Sequence, residues 1–288
     1  MNHRFNKNIL ITITLCLTHP CYADIDTVPS VISDNSIDEF RARAQNPLSP
    51  HYSIPLNYVY HDAGNGSVSI GSIQPIIPIS LGSWNVINQL SLNFIGTSGG
   101  VHGIAELPEP YFGSGATGLG DTTFTSLFSP VSSDNFSWGF GPTFVFPSDT
   151  LFTSIEDRRS RQLGSGKFSI GPSAMMVKQS ELWTLGLNVK QIWSVLGNDS
   201  RHSVSQMELK PFVNYNLANG WYLASDMNMV ANWNNSQPWT VPIGGGVGKV
   251  FDIGNQKVNT RVESYYNAVK PNQAPDWSAG MTVQLLIP

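Results

Sequence analysis

From residue 53 to the end, the chain repeats one pattern. Stretches of about ten residues alternate large apolar side chains with small or polar ones, and turn residues separate the stretches. In Phe136-Ser137-Trp138-Gly139-Phe140-Gly141-Pro142-Thr143-Phe144-Val145-Phe146 the even positions are mostly bulky and the odd ones mostly Ser, Gly or Thr. A period of two places alternate side chains on opposite faces of a β-strand, so one face is a wall of large apolar groups and the other is lean. Trp183, Leu185, Leu187, Val189, Trp193 and Val195 repeat the pattern, as do Trp277, Ala279, Met281, Val283, Leu285 and Ile287. Helical spacing fits none of these stretches. Twelve segments are predicted, near 53–62, 68–81, 84–96, 118–129, 134–146, 166–178, 181–196, 203–217, 220–231, 238–251, 256–268 and 276–287.

The connections fall into two classes. Gly82-Ser83, 130–133, Gln179-Ser180, Ala218-Asn219 and 253–255 are short, whereas 97–117, 147–165, 197–202, 232–237 and 269–275 are mostly longer. Alternating short and long connections between dyad-patterned strands is the pattern of a transmembrane barrel with tight periplasmic turns and larger external loops. An even strand number returns both ends to the periplasm. Composition agrees: 12% of residues are charged, against roughly 25% in an ordinary soluble domain. A soluble β-sandwich or propeller carries charge on its outer face, yet here the lean face is Gly, Ser, Thr and Asn. Trp84, Trp138, Trp183, Trp193, Trp221, Trp233, Trp239 and Trp277 cluster near segment ends, as aromatic girdles require. Six prolines inside segments (Pro75, Pro78, Pro142, Pro172, Pro211 and Pro242) oppose regular pairing and are expected at bulges or interfaces. With 16 basic against 20 acidic residues there is no cationic footprint for nucleic acid. No run of about 18 apolar residues exists to form a helical span.

The N-terminus reads as an export signal over 1–23. Arg4 and Lys7 precede the apolar run Ile9 to Leu17, His19-Pro20 breaks it, and Cys21-Tyr22-Ala23 offers a cleavage site before Asp24. Both cysteines, Cys16 and Cys21, lie inside this signal, so the exported chain has neither disulfide nor cysteine metal site. It then carries 14 basic and 20 acidic residues, a net charge of −6. Residues 24–50 form a separate N-terminal segment, either a periplasmic tail or a plug of the lumen. Ser36-x-x-Glu39 is a capping box, and Ile37, Phe40 and Ala44 share a helical face before Asn46-Pro47 stops it. The barrel occupies 51–288.

Catalytic patterns are weak. Gly96-Thr97-Ser98-Gly99-Gly100 matches a nucleophile elbow, but no helix can start promptly after it. Gly113-x-Gly115-x-x-Gly118 lacks the strand–helix context of a dinucleotide site. His61, His102 and His202 fall at strand ends or in loops, and His202-Ser203, adjacent on one strand, would face opposite ways. No enzyme, metal or cofactor is expected. More informative are Lys190, Glu208, Lys210, Asp226, Arg261 and Glu263, on the lean face of the seventh, eighth, ninth and eleventh segments. In lipid each Lys or Arg at mid-depth would cost about 2–4 kcal/mol. With Asp121 they are therefore predicted to line the lumen, bracing it by cross-strand pairing and setting its polarity. Lys249 lies on the apolar face near a short turn and is expected to snorkel.

Several motifs occur in order at matching spacing. They are Gln74-Pro75-x-Ile77-Pro78-Ile79-Ser80, Gly118-Leu119-Gly120-Asp121, Gly139-x-Gly141-Pro142, Gly166-Lys167 before Gly171-Pro172, Trp239-Thr240-Val241-Pro242, Gly248-Lys249-Val250-Phe251-x-Ile253-Gly254, and Pro275-Asp276-Trp277 before Val283-Gln284-Leu285-Leu286. Over about Asn46 to Leu286 the chain resembles the bacterial outer-membrane family of the MetA pathway of phenol degradation, whose members are often labelled transporter or neuromedin U. The resemblance implies an outer-membrane barrel of a Gram-negative cell passing small hydrophobic or aromatic compounds, and it supplies no catalytic residues. The chain ends Leu286-Ile287-Pro288, without the terminal aromatic usual in barrel-assembly signals. The expectation is a monomeric twelve-stranded antiparallel transmembrane β-barrel in the cell outer membrane. Its partners are membrane lipid, lipopolysaccharide and a small-molecule solute. Alternatives are a non-transporting adhesion or structural barrel presenting loops 97–117 and 147–165, with Arg158, Arg159 and Arg161 against lipopolysaccharide, and an outer-membrane lipid hydrolase.

Overall fold

The computed structural model describes residues 37–107, 115–131, 135–148 and 163–287. The export signal, Ser36 of the capping box, the three arginines near 160 and the glycine at 113 lie outside them. One helix, α1 (Ile37–Gln45), precedes fifteen strands. These are β1 (Ser53–Asp62), β2 (Ser67–Ile73), β3 (Ile76–Leu81), β4 (Trp84–Thr97), β5 (Ala116–Leu119), β6 (Thr122–Pro130), β7 (Phe136–Phe146), β8 (Lys167–Gln179), β9 (Trp183–Gly197), β10 (Ser205–Asn216), β11 (Trp221–Asp226), β12 (Met229–Asn232), β13 (Trp239–Ile253), β14 (Gln256–Val269) and β15 (Trp277–Leu286). Three successive pairs, β2–β3, β5–β6 and β11–β12, each run as one interrupted strand, giving twelve barrel strands. Neighbours in sequence pair antiparallel around the ring, and β15 closes it against β1 from Asp62↔Trp277 to Ser53↔Leu286.

The dyad pattern sorts the two faces. Phe94, Phe140, Met176, Leu185, Leu223, Ile243, Val262, Tyr266 and Met281 are exposed on the outside, an apolar area far beyond what a soluble monomer shows. Four tryptophans (Trp84, Trp138, Trp183 and Trp221) ring the short-turn rim, and the other four ring the long-loop rim. Trp183 and Trp193 lie ten residues apart on β9. At about 3.3 Å per residue and a tilt of about 40° they are separated by roughly 25 Å along the barrel axis, the height of an outer-membrane apolar band. Lys249 Nζ lies 4.8 Å from the Trp221 ring centroid at the short-turn rim, where an ammonium snorkels to the interface.

The prolines mark irregularities. Pro75 sits in the break between β2 and β3, and Pro211 accepts a bond from Met227 N in the break between β11 and β12. Pro242 follows a register shift in β13. Pro142 and Pro172 face each other across β7 and β8, where the β6–β7 and β8–β9 ladders skip pairs, and Pro78 lies within the continuous β3–β4 ladder.

Helix α1 begins with Asp38 and Glu39 and carries Arg43 in its last turn, charges that oppose its dipole. Asn46-Pro47 ends it. Its apolar face, Ile37, Phe40 and Ala44, packs on inward-facing Val250 and Leu286. Buried Arg41 donates to the carbonyls of Leu217 at 2.7 Å and Trp221 at 3.3 Å in a short turn. Gln179 donates to Ala42 O, and Gln45 bonds Asn216 and Thr184. The helix is thus seated inside the short-turn rim. Beyond it, Leu48 joins Ile87, Leu127, Met175, Val177 and Phe212 in an internal apolar cluster.

Candidate functional site

The inner face encloses a cavity of about 510 Å³. Eight strands would be filled by side chains, and twelve leave space. Much of the wall is polar and bonded to itself. Thr125, Thr143 and Ser173 form a chain of hydroxyls at 2.8 and 2.6 Å. Tyr222 donates to Asn259 and Asn259 to Gln284, while Thr282 donates to Asn57 and Asn57 to Ser72. Such ladders satisfy buried polar groups without filling the lumen.

All seven residues singled out from the sequence line this cavity, and six of them converge. Lys190 Nζ is 2.8 Å from Glu208 Oε1 on the facing strand. Lys210 Nζ is 3.5 Å and Arg261 Nη1 2.9 Å from Asp226 Oδ2. Arg261 Nε is 2.9 Å from Glu263 Oε2. Three cations thus meet three carboxylates, which offsets the large cost of taking each charge from water. Asp121 stands apart, at the β5–β6 junction, where its Oδ2 accepts from Ser165 N at 2.8 Å and Ser165 Oγ at 2.6 Å.

Arg261 on β14 and Asp226 on β11 are separated by β13, two strand spacings or about 9.5 Å. The contact exists because three successive inward positions of β13 are glycine. Gly248, Gly246 and Gly244 stand opposite Arg261, Glu263 and Tyr265. A Cβ on Gly246 would meet Glu263 Cγ at 2.7 Å, one on Gly244 would meet Tyr265 Cδ1 at 2.9 Å, and one on Gly248 would fall within the Tyr222 ring. Over this bare stripe Tyr265 Oη accepts from Asp226 N at 2.6 Å and donates to Glu263 Oε1 at 2.7 Å. Parity alone places Tyr265 beside Glu263 and Arg261, so the sequence held a signal for it that the charge-based selection passed over.

The sequence reading missed a second feature. Part of the expected external loop 97–117 folds inward. Val101, Ile104 and Leu107 are buried with Val68, Ile70, Ile95 and Leu163. Gly103 O accepts from Thr240 Oγ1 at 2.8 Å, and Ala105 O from Gln206 Nε2 at 3.1 Å. The three-residue spacing of apolar side chains in an otherwise small, polar loop was the available signal. This fold-back carries Ile104, Ala105 and Glu106 to the cavity wall. The serine of the elbow-like motif is occupied structurally: Ser98 Oγ accepts from Ser67 N at 2.8 Å, between the end of β4 and the left-handed Gly99 and Gly100. Gly118 lies in β5 with no helix following it. His61 lines the cavity from β1, and burial lowers the half-buried His102 imidazole below its ordinary value. Among the described residues no cluster of His, Cys, Asp and Glu has the arrangement of a metal site.

Solved structures resemble this chain to different degrees. An outer membrane channel from Pseudomonas putida aligns with a TM-score of 0.59 at 13% identity, covering 82% of this chain and 96% of that one. The NanC porin aligns at 0.46 and 8% identity, covering 82% and 99%. The outer membrane phospholipase A of Escherichia coli aligns at 0.42 and 13% identity, covering 87% and 98%. No family model and no curated protein matches the chain. At such identities the likeness is one of fold, and that fold is the outer-membrane β-barrel.

Proposed function

We propose that this barrel is a passive outer-membrane channel for small molecules. The observation that carries the reading is a self-bonded polar wall around open space, crossed by a charge-balanced cluster. A barrel built only for stability or display would fill its interior. Asp121, Lys190, Glu208, Lys210, Asp226, Arg261 and Glu263 are the wall residues that set lumen polarity. Residues 1–23 are removed on export, and 37–50 narrow the pathway at its periplasmic end. The chain acts as a monomer in lipid and lipopolysaccharide. The resemblance to the MetA-pathway family supports a hydrophobic or aromatic solute. Val59, Ile70, Ile76, Ile192 and Phe212 on the cavity wall offer a ring its apolar contacts among the polar groups. Display through loop 97–117 is the weaker reading, because the apolar side chains of 101–107 are committed to the interior.

The mature chain reconstituted in planar bilayers should give discrete conductance steps, and a membrane indistinguishable from lipid alone refutes the channel. Uptake into proteoliposomes of phenol-like solutes against sugars of similar size tests the solute class, with faster uptake of the aromatic set expected.

A further inference from the structure

The inward loop brings one carboxylate more than the cluster's cations neutralise. Lys190, Lys210 and Arg261 are each paired with Glu208, Asp226 or Glu263. Glu106 enters beside them and forms no ion pair among the described residues. Its position is fixed by the preceding residue, whose carbonyl takes the amide N–H of Gln206. That bond also fixes the orientation of the Gln206 amide, since the flipped form would set oxygen against oxygen. Gln206 is 2% exposed and lines the cavity, and its Oε1 has no hydrogen-bond partner. Two more buried acceptors without partners, Asp226 Oδ1 and Asn228 Oδ1, lie on the neighbouring interrupted strand. Unsatisfied buried acceptors call for a donor, and an excess carboxylate calls for a cation.

We propose that the lumen beside Glu106 is a recognition site for the primary ammonium group of a solute, with Glu106 supplying the countercharge and Gln206 Oε1 a second acceptor. The inference rests on the lumen being open to solutes, as a channel requires. An ammonium is a compact charge carrying three N–H donors, which suits acceptors converging from a loop and a strand. A quaternary ammonium has the charge without the donors, and a neutral hydroxyl has a donor without the charge. The other charged groups near the loop are engaged: Lys190 with Glu208, Lys210 with Asp226, and Lys270 with Asp276 on the β14–β15 connection at 2.9 Å. His61 is a titratable base on the same cavity wall, and His102 lies four residues before Glu106 in the loop. Burial, reinforced by Glu208, raises the Glu106 carboxyl above the ordinary range. An ammonium therefore competes with protonation of Glu106 and binds better as pH rises.

Titration calorimetry on the mature chain in detergent tests this with propylammonium and tetramethylammonium chlorides at pH 8 and pH 5. Propylammonium should bind at pH 8 at least roughly tenfold tighter than tetramethylammonium, from its charge-assisted hydrogen bonds, and more weakly at pH 5. E106Q should lose roughly tenfold in propylammonium affinity. Q206M removes the neutral acceptor without touching a charge. It should lose roughly threefold or more, and it serves where E106Q fails to show the heat-modifiable mobility of a folded barrel. Equal affinity for the two cations, no binding of either, or unchanged affinity in the folded variants overturns the proposal. Calorimetry reads binding and not conduction. A barrel that binds propylammonium but stays silent in bilayers keeps the site and loses the channel, and one that conducts without binding does the reverse.

Discussion

The glycine stripe on β13 makes a prediction with an unusual sign. Tyr222 is 1% exposed and lies over Gly248, with its hydroxyl 2.7 Å from Asn259 Oδ1. Gly248→Ala places a methyl group inside the ring's position. The ring must tilt away, at an overpacking cost of about 1–3 kcal/mol, and it gives up a hydrogen bond worth about 1 kcal/mol. Against this, alanine is better than glycine in a strand by roughly 0.5–1 kcal/mol. The net expectation is a loss of about 1–3 kcal/mol. In a Tyr222→Ala background the obstacle is gone and only the strand preference remains, so the same substitution should then stabilise by about 0.5–1 kcal/mol. Urea unfolding of the refolded barrel in detergent, followed by tryptophan fluorescence, gives the four free energies of the cycle, and the coupling should be about 2–4 kcal/mol. If Gly248→Ala is neutral in the parent, or costs the same in both backgrounds, the stripe is not there to admit the rings and long side chains crossing it.

Further expectations concern the charge cluster, the rims and the loop. Arg261→Met leaves Asp226 and Glu263 without their shared cation and should cost about 3–5 kcal/mol. The triple variant with D226N and E263Q should recover most of it, and urea midpoints that do not recover would show that the guanidinium contributes packing, not charge. Deleting 24–45 removes the helix inside the short-turn rim and should raise single-channel conductance, so unchanged steps would discard the plug. Variants keeping only Trp183 or only Trp193 should be quenched best by lipids brominated near the headgroup and little by those brominated near the bilayer centre, and the reverse order would unseat the membrane placement. Loop docking should depend on pH. Because burial raises the Glu106 carboxyl above 4.5, docking is fullest below that value and weakens as pH rises through the raised one. His102, lowered from 6.5, opposes this below pH 6.5. Hydrogen exchange of residues 98–107, corrected for intrinsic rates and followed from pH 5 to pH 8, should quicken with rising pH more in the parent than in E106Q, and propylammonium should restore protection. The same pH dependence in parent and variant refutes the link.

Much of the architecture was legible because a barrel wall has one side in hydrocarbon. Placing alternate residues in lipid forces a strict two-residue period, and twelve stretches from Ser53 to Leu286 carry it. The same logic made the lumen charges readable: Lys190, Glu208, Lys210, Asp226, Arg261 and Glu263 share the parity of Asn188, Asn214 and Asn259, and at mid-depth a charge on the other face is costly. The α1 turn pattern was readable from Ile37, Phe40 and Ala44, but its destination was not. An apolar helical stripe states only that something must cover it, and the sequence does not say that Val250 and Leu286 do so.

What escaped the sequence depends on contacts across the lumen, where no local period exists. Loop 98–107 is held by Thr240 and Gln206, more than a hundred residues away, and by an apolar pocket of β2 and β4. The glycines at 244, 246 and 248 looked like ordinary lean-face residues. Their role appears only when β11, β13 and β14 are laid side by side and Arg261 is seen to need a path to Asp226. The two features serve one arrangement. Bare backbone on β13 lets β14 reach β11 and join Lys210, Asp226, Arg261 and Glu263, beside the Lys190–Glu208 pair, and the inward loop then adds Glu106, which these cations do not balance. With the six charges balanced and Asp121 held by Ser165 at the β5–β6 junction, Glu106 is the carboxylate left for a solute, so on the proposed reading the loop, not the barrel, is where selectivity is adjusted with least cost to folding.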